Sequence, residues 1–319
     1  MSSPVKTIIP VSFVIATADR PVVFRRMLDS LFEQDFLPKQ IIVVDASKND
    51  LTKSFINKSD WDKHVEIRYE NAIERGAAVQ RNQGLLKVTQ PFITFIDDDI
   101  LLEKKCIEAL YKAISSNDKI GGVNAFVTNQ HSVSPGKFTR FFYYLLRDRP
   151  LDSYDGRCFG PVVNVLPADH KGKVNMLPVD WLNSTCTFYR REALPEPVFD
   201  KHFTGYSFME DVALSLRVGK NWQLFNVQEA RIFHDSQTSD HKKNIKKQEK
   251  MELVNRHYVM TKVLARTRFK NYVSLFVLEV FNMLALLRNT NGIKKLPSFL
   301  SGKLAALREL SRSKTAGDV

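Results

Sequence analysis

Over the first 115 residues, apolar runs of strand character alternate with segments of helical spacing, and several runs end on polar residues suited to binding. Val11–Ala16 ends at Thr17, Gln40–Val44 at Asp45, and Phe92–Ile96 at Asp97-Asp98-Asp99. His64–Tyr69 reads as a shorter alternating strand. Between the runs, a helix from Val22 carries Met27, Leu28, Leu31 and Phe32 at helical spacing, and Gly76 to Val88 reads as another. Strands buried on both faces read as continuous β-branched and aromatic runs, and their alternation with helices predicts a parallel, doubly wound sheet. Ligands bind such sheets at the carboxyl ends of the strands. Thr17, Asp45 and Asp97–Asp99 are therefore expected to converge on one crevice.

Three adjacent carboxylates repel one another when ionised together, so ordinary packing does not ask for Asp97-Asp98-Asp99. A divalent cation removes the objection, because Mg²⁺ and Mn²⁺ prefer carboxylate oxygens and share themselves with substrate phosphates. The alternative is a polar turn capping a helix from Leu101 onward.

Beyond Gly121-Gly122 the pattern weakens. Residues 129–178 are rich in aromatics, Pro and Gly, and Phe138, Phe141, Phe142, Tyr143 and Tyr144 read as a helix, with a loop over the site. Val179–Leu182 and Cys186–Tyr189 read as a bent or paired strand, Met209–Arg217 as the start of a helix, and Gln223–Val227 and Ala230–His234 as short strands. There is no internal repeat.

Charge divides the chain. Residues 1–240 hold 30 Lys and Arg against 30 Asp and Glu, whereas residues 241–319 hold 17 against 5, so the whole net charge of +12 lies in the tail. Two domains are expected: a catalytic body over 1–240 and a basic, amphipathic helical tail over 241–319. In the tail, 241–268 reads as a basic helix. The 16-residue apolar stretch Tyr272–Leu287 is short for a bilayer span of roughly 20 residues. Leu296, Phe299, Leu300, Leu304, Leu307 and Leu310 form a second amphipathic pattern. These fit helices lying in an anionic membrane interface, or packing on the body or on a second copy as a homo-oligomer. The tail's aromatics fall in apolar runs and do not interleave with Lys and Arg, which argues against nucleic acid. Three cysteines without metal spacing, and no signal peptide, point to a reducing cytoplasm, with the protein peripheral at the inner face of the membrane.

The order Thr17, Arg20, Asp45, Arg81-Asn82, Asp97–Asp99, Trp181, Glu210-Asp211 and His234 resembles the GT-A-fold, family 2, inverting glycosyltransferases over roughly residues 8–240. The most specific element is the Asp triplet followed about a hundred residues later by Glu-Asp before Leu214-Ser215-Leu216-Arg217. The resemblance implies a Rossmann-like α/β fold, with a mostly parallel central sheet flanked by helices and, here, a C-terminal helical extension.

It also implies roles. Asp45 reads the donor base, as a carboxylate can accept the N3–H of uracil or thymine. Thr17, Arg20, Arg81, Asp97 and Asp98 line the donor site, with Asp97 at the ribose. Asp99 and His234 hold Mn²⁺ or Mg²⁺. Asp211 is the catalytic base, assisted by Glu210, and Trp181 stacks on the acceptor. Each has a plainer reading: a strand-end turn for Asp45, a surface ion pair for Arg20, a solvated helix face for Arg81, a structural imidazole for His234, a helix N-terminus for Glu210-Asp211, and core packing for Trp181.

The chain departs from the family where Tyr-Asn is common (Ala18-Asp19), where Asp-Gly-Ser is common (Asp45-Ala46-Ser47), and where glycine often stands two residues after the tryptophan (Asn183). The function implied is metal-dependent, inverting transfer of a sugar from a UDP- or dTDP-linked donor to a hydroxyl of a glycan. A lipid-linked acceptor in surface polysaccharide assembly suits the tail. The rivals are a sugar nucleotidyltransferase, against which the glycine-free Ala16–Arg20 turn counts, and a non-catalytic nucleotide- or glycan-binding subunit.

Overall fold

The computed structural model describes residues 6–58, 63–130, 135–170, 172–237 and 244–316. The chain divides into two compact units, Met1–Ser132 with Leu166–Gln237, and Val133–Val165 with Thr238–Val319. The boundary expected at 240 lies outside the described residues. The aromatic segment around Phe138–Tyr144 belongs to the second unit.

The first unit is built on one sheet. Strands β1 (Thr7–Thr17), β2 (Phe36–Asp45), β3 (Glu66–Asn71) and β4 (Phe92–Asp97) run parallel in the order β3-β2-β1-β4. β1 starts four residues earlier than its apolar run, and Val11, Phe13, Val14 and Ile15 are fully buried, as expected of a strand covered on both faces. Helix α1 (Pro21–Phe32) begins with proline, whose fixed φ suits the first helical position. It buries Phe24, Met27, Leu28 and Leu31, each stabilising by about 1.5–3 kcal/mol. α2 (Leu51–Lys58) follows β2, and α3 (Ala77–Leu85) follows β3. Gly84 lets α3 approach the sheet, because a Cβ there would lie 2.6 Å from Val14 Cγ1.

After β4 the chain does not enter a helix at Leu101. Ile100–Leu102 forms a short strand, β5, and α4 (Cys106–Ser115) begins later. The apolar triplet is drawn into the sheet because it pairs with Ile232–His234. The Asp triplet is thus a turn between two strands. Beyond α4 lies β6 (Ile120–Val127). Met176–Pro178 forms β9, Val179–Leu182 is not a strand, and Cys186–Arg190 forms β10. β10 runs antiparallel between β4 and β6 and makes the sheet mixed. The expected pair of strands at 223–227 and 230–234 is one strand, β11 (Gln223–His234), with an irregularity between Val227 and Arg231. It runs parallel to β6, and β5 and β9 pair with it antiparallel. Helix α6 (Glu210–Val218) precedes it. Phe13 and Phe188 meet edge to face in the core, 5.7 Å between centroids.

The second unit holds α5 (Lys137–Leu146), the hairpin β7 (Cys158–Phe159) with β8 (Val163–Asn164), and three further helices. These are α7 (Ile245–Tyr258), capped by the Asn244 side chain and ending in a π-helical turn, α8 (Phe269–Leu286) and α9 (Thr290–Ala316). Leu278 of α8 packs on Leu146, Phe159 and Val163. Lys303 Nζ lies 2.9 Å from both Glu249 and Glu279, an ion-paired tie among the three helices. The three cysteines are buried and none is in a disulfide.

Candidate active site

Strand register gathers the site. Thr17 pairs with Asp45, and Ala16 with Asp97, so the carboxyl ends of β2, β1 and β4 stand side by side. β10 enters at the same edge in reverse, and Asp97 N–H donates to Thr185 O at 3.0 Å. His234 ends β11 opposite Ile100, which brings it beside Asp99. The expected convergence of Thr17, Asp45 and Asp97–Asp99 is thus present, and Arg20, Arg81, Glu210 and His234 join it.

Each aspartate of the triplet has a separate setting. Asp98 is buried, accepting from Thr17 Oγ1 at 2.7 Å and pairing with Arg20 at 2.8 Å. Burial pushes its carboxyl up to about 7 against the pull of Arg20 and Thr17. Asp99 faces Arg20 Nη1 at 3.1 Å with one oxygen and His234 Nε2 at 3.3 Å with the other. Burial would raise it, but the hydrogen bond and charge of His234, with Arg20, hold it below the ordinary carboxylate range. Asp97 is raised by burial and by Asp99, with Arg81 opposing.

Arg81, 3 % exposed, is no solvated helix residue. Its Nη1 lies 2.6 Å from Glu210 Oε1, its Nη2 2.6 Å from Asp97 Oδ1, and its guanidinium sits over the Phe199 ring. One cation therefore serves two carboxylates, Glu210 buried and Asp97 partly exposed. Burial pushes Glu210 up to about 8 despite Arg81, and neighbouring Asp211 up to about 6. Asp211 Oδ1 accepts its neighbour Val212 N–H at 2.8 Å, and its carbonyl accepts Ser215 Oγ at 2.7 Å. The helix they open is entered through Met209 in a left-handed conformation.

Asp45 is buried and already engaged. It accepts from Ser47 N at 2.8 Å, from Ser47 Oγ at 2.5 Å, and from Tyr69 OH at 3.1 Å. Burial, with Asp45 next, raises the Tyr69 hydroxyl. One lone-pair direction of the carboxylate, on Oδ2, remains. Trp181 is 6 % exposed, so little of its indole face is open to a sugar.

Several residues that sequence reasoning passed over complete the site. Gln80 donates to Thr17 O at 2.9 Å and Val44 O at 2.8 Å while accepting Gly76 N–H, which staples the ends of β1 and β2 to the start of α3. Asp19 joins the first two loops through Ser47, Lys48 N–H and Arg75. Gln130 reaches His234 Nδ1 at 2.8 Å, and Asn129 exchanges two hydrogen bonds with the His234 backbone. Long-range amide contacts of this kind have no local signature.

Asp99 and His234 supply one oxygen and one nitrogen 3.3 Å apart, a spacing two neighbouring ligands of one Mn²⁺ or Mg²⁺ can take. Among the described residues no group of three or more His, Cys, Asp or Glu side chains is arranged for a metal. A cation held here needs its remaining ligands from substrate or water.

The glycosyl transferase family 2 model matches residues 12–195. A Campylobacter jejuni GalNAc(5)-diNAcBac-PP-undecaprenol beta-1,3-glucosyltransferase is 32 % identical over 89 residues, 28 % of this chain and 29 % of that protein. Glycosyltransferase GlyA of Streptococcus pneumoniae is 29 % identical over 126 residues, 39 % of this chain and 17 % of that protein. The matches therefore span less than a third of these curated relatives. Among solved structures, the Pyrobaculum calidifontis mannosyltransferase PcManGT with GDP-Man and Mn²⁺ superposes with a TM-score of 0.56 at 15 % identity, covering 97 % of this chain and 81 % of that one. TarS of S. aureus with UDP-GlcNAc gives 0.54 at 13 %, covering 92 % and 79 %. At such identities the likeness shows the fold, which is GT-A. With more than half of its length matched by the family model, the chain belongs to glycosyl transferase family 2.

Proposed function

We propose that this glycosyltransferase is metal-dependent and inverting, and moves a sugar from a UDP- or dTDP-linked donor to a hydroxyl of a lipid-linked glycan in surface polysaccharide assembly. The observation that carries the reading is the Arg81 bridge. It ties Asp97, on the donor side of the sheet edge, to Glu210, the neighbour of Asp211.

In this reading Asp45 accepts the N3–H of the base with its remaining lone pair, supported by Ser47 and Tyr69. Thr17 and Arg20 line the same pocket, Asp97 accepts from the ribose, and Asp98 anchors Arg20. Asp99 and His234 would hold Mn²⁺ or Mg²⁺, which when bound offsets the negative charge of the departing diphosphate. Asp211 takes the proton of the acceptor hydroxyl as that oxygen attacks the anomeric carbon opposite the diphosphate, and one displacement inverts the centre. Glu210 orients the acceptor or the base, and Trp181 offers an edge to the acceptor. Structural neighbours captured with GDP-Man and Mn²⁺, and with UDP, GalNAc and Mn²⁺, support a nucleotide-linked donor and a metal. The Campylobacter relative's undecaprenol-linked substrate supports the lipid carrier.

The second unit supports a peripheral position at the inner face of a membrane. α8 is the one described helix long and apolar enough to cross a bilayer, with mean hydropathy 1.3. Eighteen residues rise only about 27 Å. Its Phe269, Val273 and Phe276 are exposed, as are Phe138, Phe141 and Tyr144 of α5, whose Phe142 stacks on Phe281 of α8. Lys137, Arg140, Lys270, Lys294 and Lys295 stand exposed on the same helices and on α9. Apolar faces among cations suit an anionic interface.

The test is radiolabelled transfer from UDP- and dTDP-sugars to polyprenyl diphosphate-linked sugars with Mn²⁺. Transfer with an inverted anomeric centre supports the reading. Transfer with retention, or equal rates in EDTA, overturns it.

A further inference from the structure

Beyond the carboxylates, the first unit carries a one-way chain of side-chain amides. His170 N–H donates to Gln228 Oε1 at 3.0 Å, and Gln228 Nε2 donates to Asn226 Oδ1 at 2.6 Å. Asn226 Nδ2 donates to Asn124 Oδ1 at 2.9 Å and to the carbonyl of Ala125 at 3.2 Å. Asn124 Nδ2 donates to Asn183 Oδ1 at 2.9 Å, and Thr185 Oγ1 donates to the same oxygen at 2.8 Å. Asn124, Asn226 and Gln228 are buried.

The direction of this chain is not free. A backbone N–H can only donate, so Gln228 must turn its oxygen to His170; a carbonyl can only accept, so Asn226 must turn its nitrogen to Ala125. Reversing any amide would set two donors or two acceptors face to face in the interior, and an unmade buried hydrogen bond is costly. The polarity therefore runs outward to Asn183, whose oxygen is saturated by two donors. Its NH₂ group is the end of the chain and has no partner among the described residues.

Asn183 stands beside the candidate site. One residue before it, Leu182 N–H donates to Ser215 Oγ, which donates to the carbonyl of Asp211. Two residues after it, Thr185 O receives the N–H of Asp97. Thr187 Oγ1 holds the Asn183 carbonyl. Asn183 lines a narrow crevice, with room for about one water, beside Phe126, Leu166, Pro167 and Gln130, the residue whose amide reaches His234. A half-buried, donor-only group with fixed orientation is a reader of acceptor oxygens. We infer that Asn183 is a specificity-determining residue, whose NH₂ donates to a hydroxyl or acetamido oxygen of a sugar bound at this edge. This rests on the glycosyltransferase reading of the crevice. The sugar belongs to the donor or to the acceptor, and the chemistry at Asn183 is the same.

The test is NMR of the full chain with ¹⁵N-asparagine, the Asn183 side-chain pair being assigned by its loss in Asn183→Ala. One arm compares UDP with UDP-glucose, UDP-galactose and UDP-GlcNAc, in Mg²⁺. The other adds the methyl glycosides of glucose, GlcNAc and GalNAc to the UDP-bound protein. The Asn183 pair is expected to stay in place with UDP alone and to move with a sugar. Movement in the first arm assigns the donor sugar, and movement in the second assigns the acceptor. Asn183→Ala should weaken that sugar about 2- to 10-fold and leave UDP affinity unchanged. Should Asn183→Ala fail to fold, Asn183→Asp serves, since it keeps both received hydrogen bonds and loses both donors. A pair unmoved in both arms overturns the inference, as does a variant that binds every sugar like wild type. UDP-induced shifts elsewhere report the donor site separately. Their absence, with dTDP as well as UDP, defeats the proposed donor reading, whereas their presence with an unmoved Asn183 defeats only the inference.

Discussion

Arg81 and Glu210, 129 residues apart in sequence, meet at 2.6 Å. The same guanidinium holds Asp97, so one side chain of α3 joins the end of β4 to the start of α6. The ion pairs thus fix the distance between the two halves of the candidate site. Removing the cation leaves the buried Glu210 and the partly exposed Asp97 facing one another, with Asp211 adjacent.

Arg81→Met is expected to destabilise the protein by about 1–3 kcal/mol, because it leaves the buried Glu210 and the partly exposed Asp97 without their shared hydrogen-bond donor. Arg81→Lys should recover part of this, since an ammonium cannot match both carboxylates in the plane of a guanidinium. Denaturant unfolding of the three proteins checks the order. Equal midpoints for wild type and Arg81→Met would contradict it.

Two pH dependences follow from burial. A base works ionised, and Asp211 is pushed up to about 6, so kcat/KM should fall about tenfold per pH unit below 6. Asp211→Asn should lower kcat by about 10²–10⁴ while donor binding persists. Stability should run the other way. Folded Glu210 keeps its proton up to about 8, whereas an unfolded glutamate releases it near 4.3. Between those values the folded state binds more protons, so stability is full below about 4.3 and declines as pH rises to 8. Asp98, pushed up to about 7, adds in the same direction. Melting temperature against pH, for wild type and Glu210→Gln, tests this: the variant should lose less between pH 5 and 8.

Much of this was legible from residues alone. The apolar runs before Thr17, Asp45 and Asp97 are long enough to read as buried strands, and the parallel rule then places their ends together. The spacing to Glu210-Asp211 pointed to a distant segment on the same edge. Ile100–Leu102 misled because three apolar residues carry no periodicity, and only pairing with β11 decides between helix and strand. Gln80 and the Asn124–Asn226–Gln228 chain were invisible because an amide's partners lie dozens of residues away and leave no spacing behind. Asp19, noticed only as a departure from a family pattern, proves to be bonded to Ser47.

For the second unit, the prediction concerns its exposed aromatics. Phe269 and Phe276 are 83 % and 69 % exposed. Phe269→Ser with Phe276→Ser, in the full chain, should sharply reduce flotation with vesicles rich in anionic lipid and leave the melting temperature nearly unchanged. Wild-type protein that stays with the soluble fraction in low salt would contradict the membrane reading.

The most direct measurement is calorimetric titration with UDP, dTDP, GDP and CDP, each with and without Mn²⁺, on wild type, Asp99→Ala and His234→Ala. UDP or dTDP should bind wild type with Mn²⁺, more weakly without it, and neither variant should show the gain from metal. Binding of no nucleotide in the presence of Mn²⁺, or equal binding by wild type and Asp99→Ala, would contradict a metal-assisted donor site at this sheet edge.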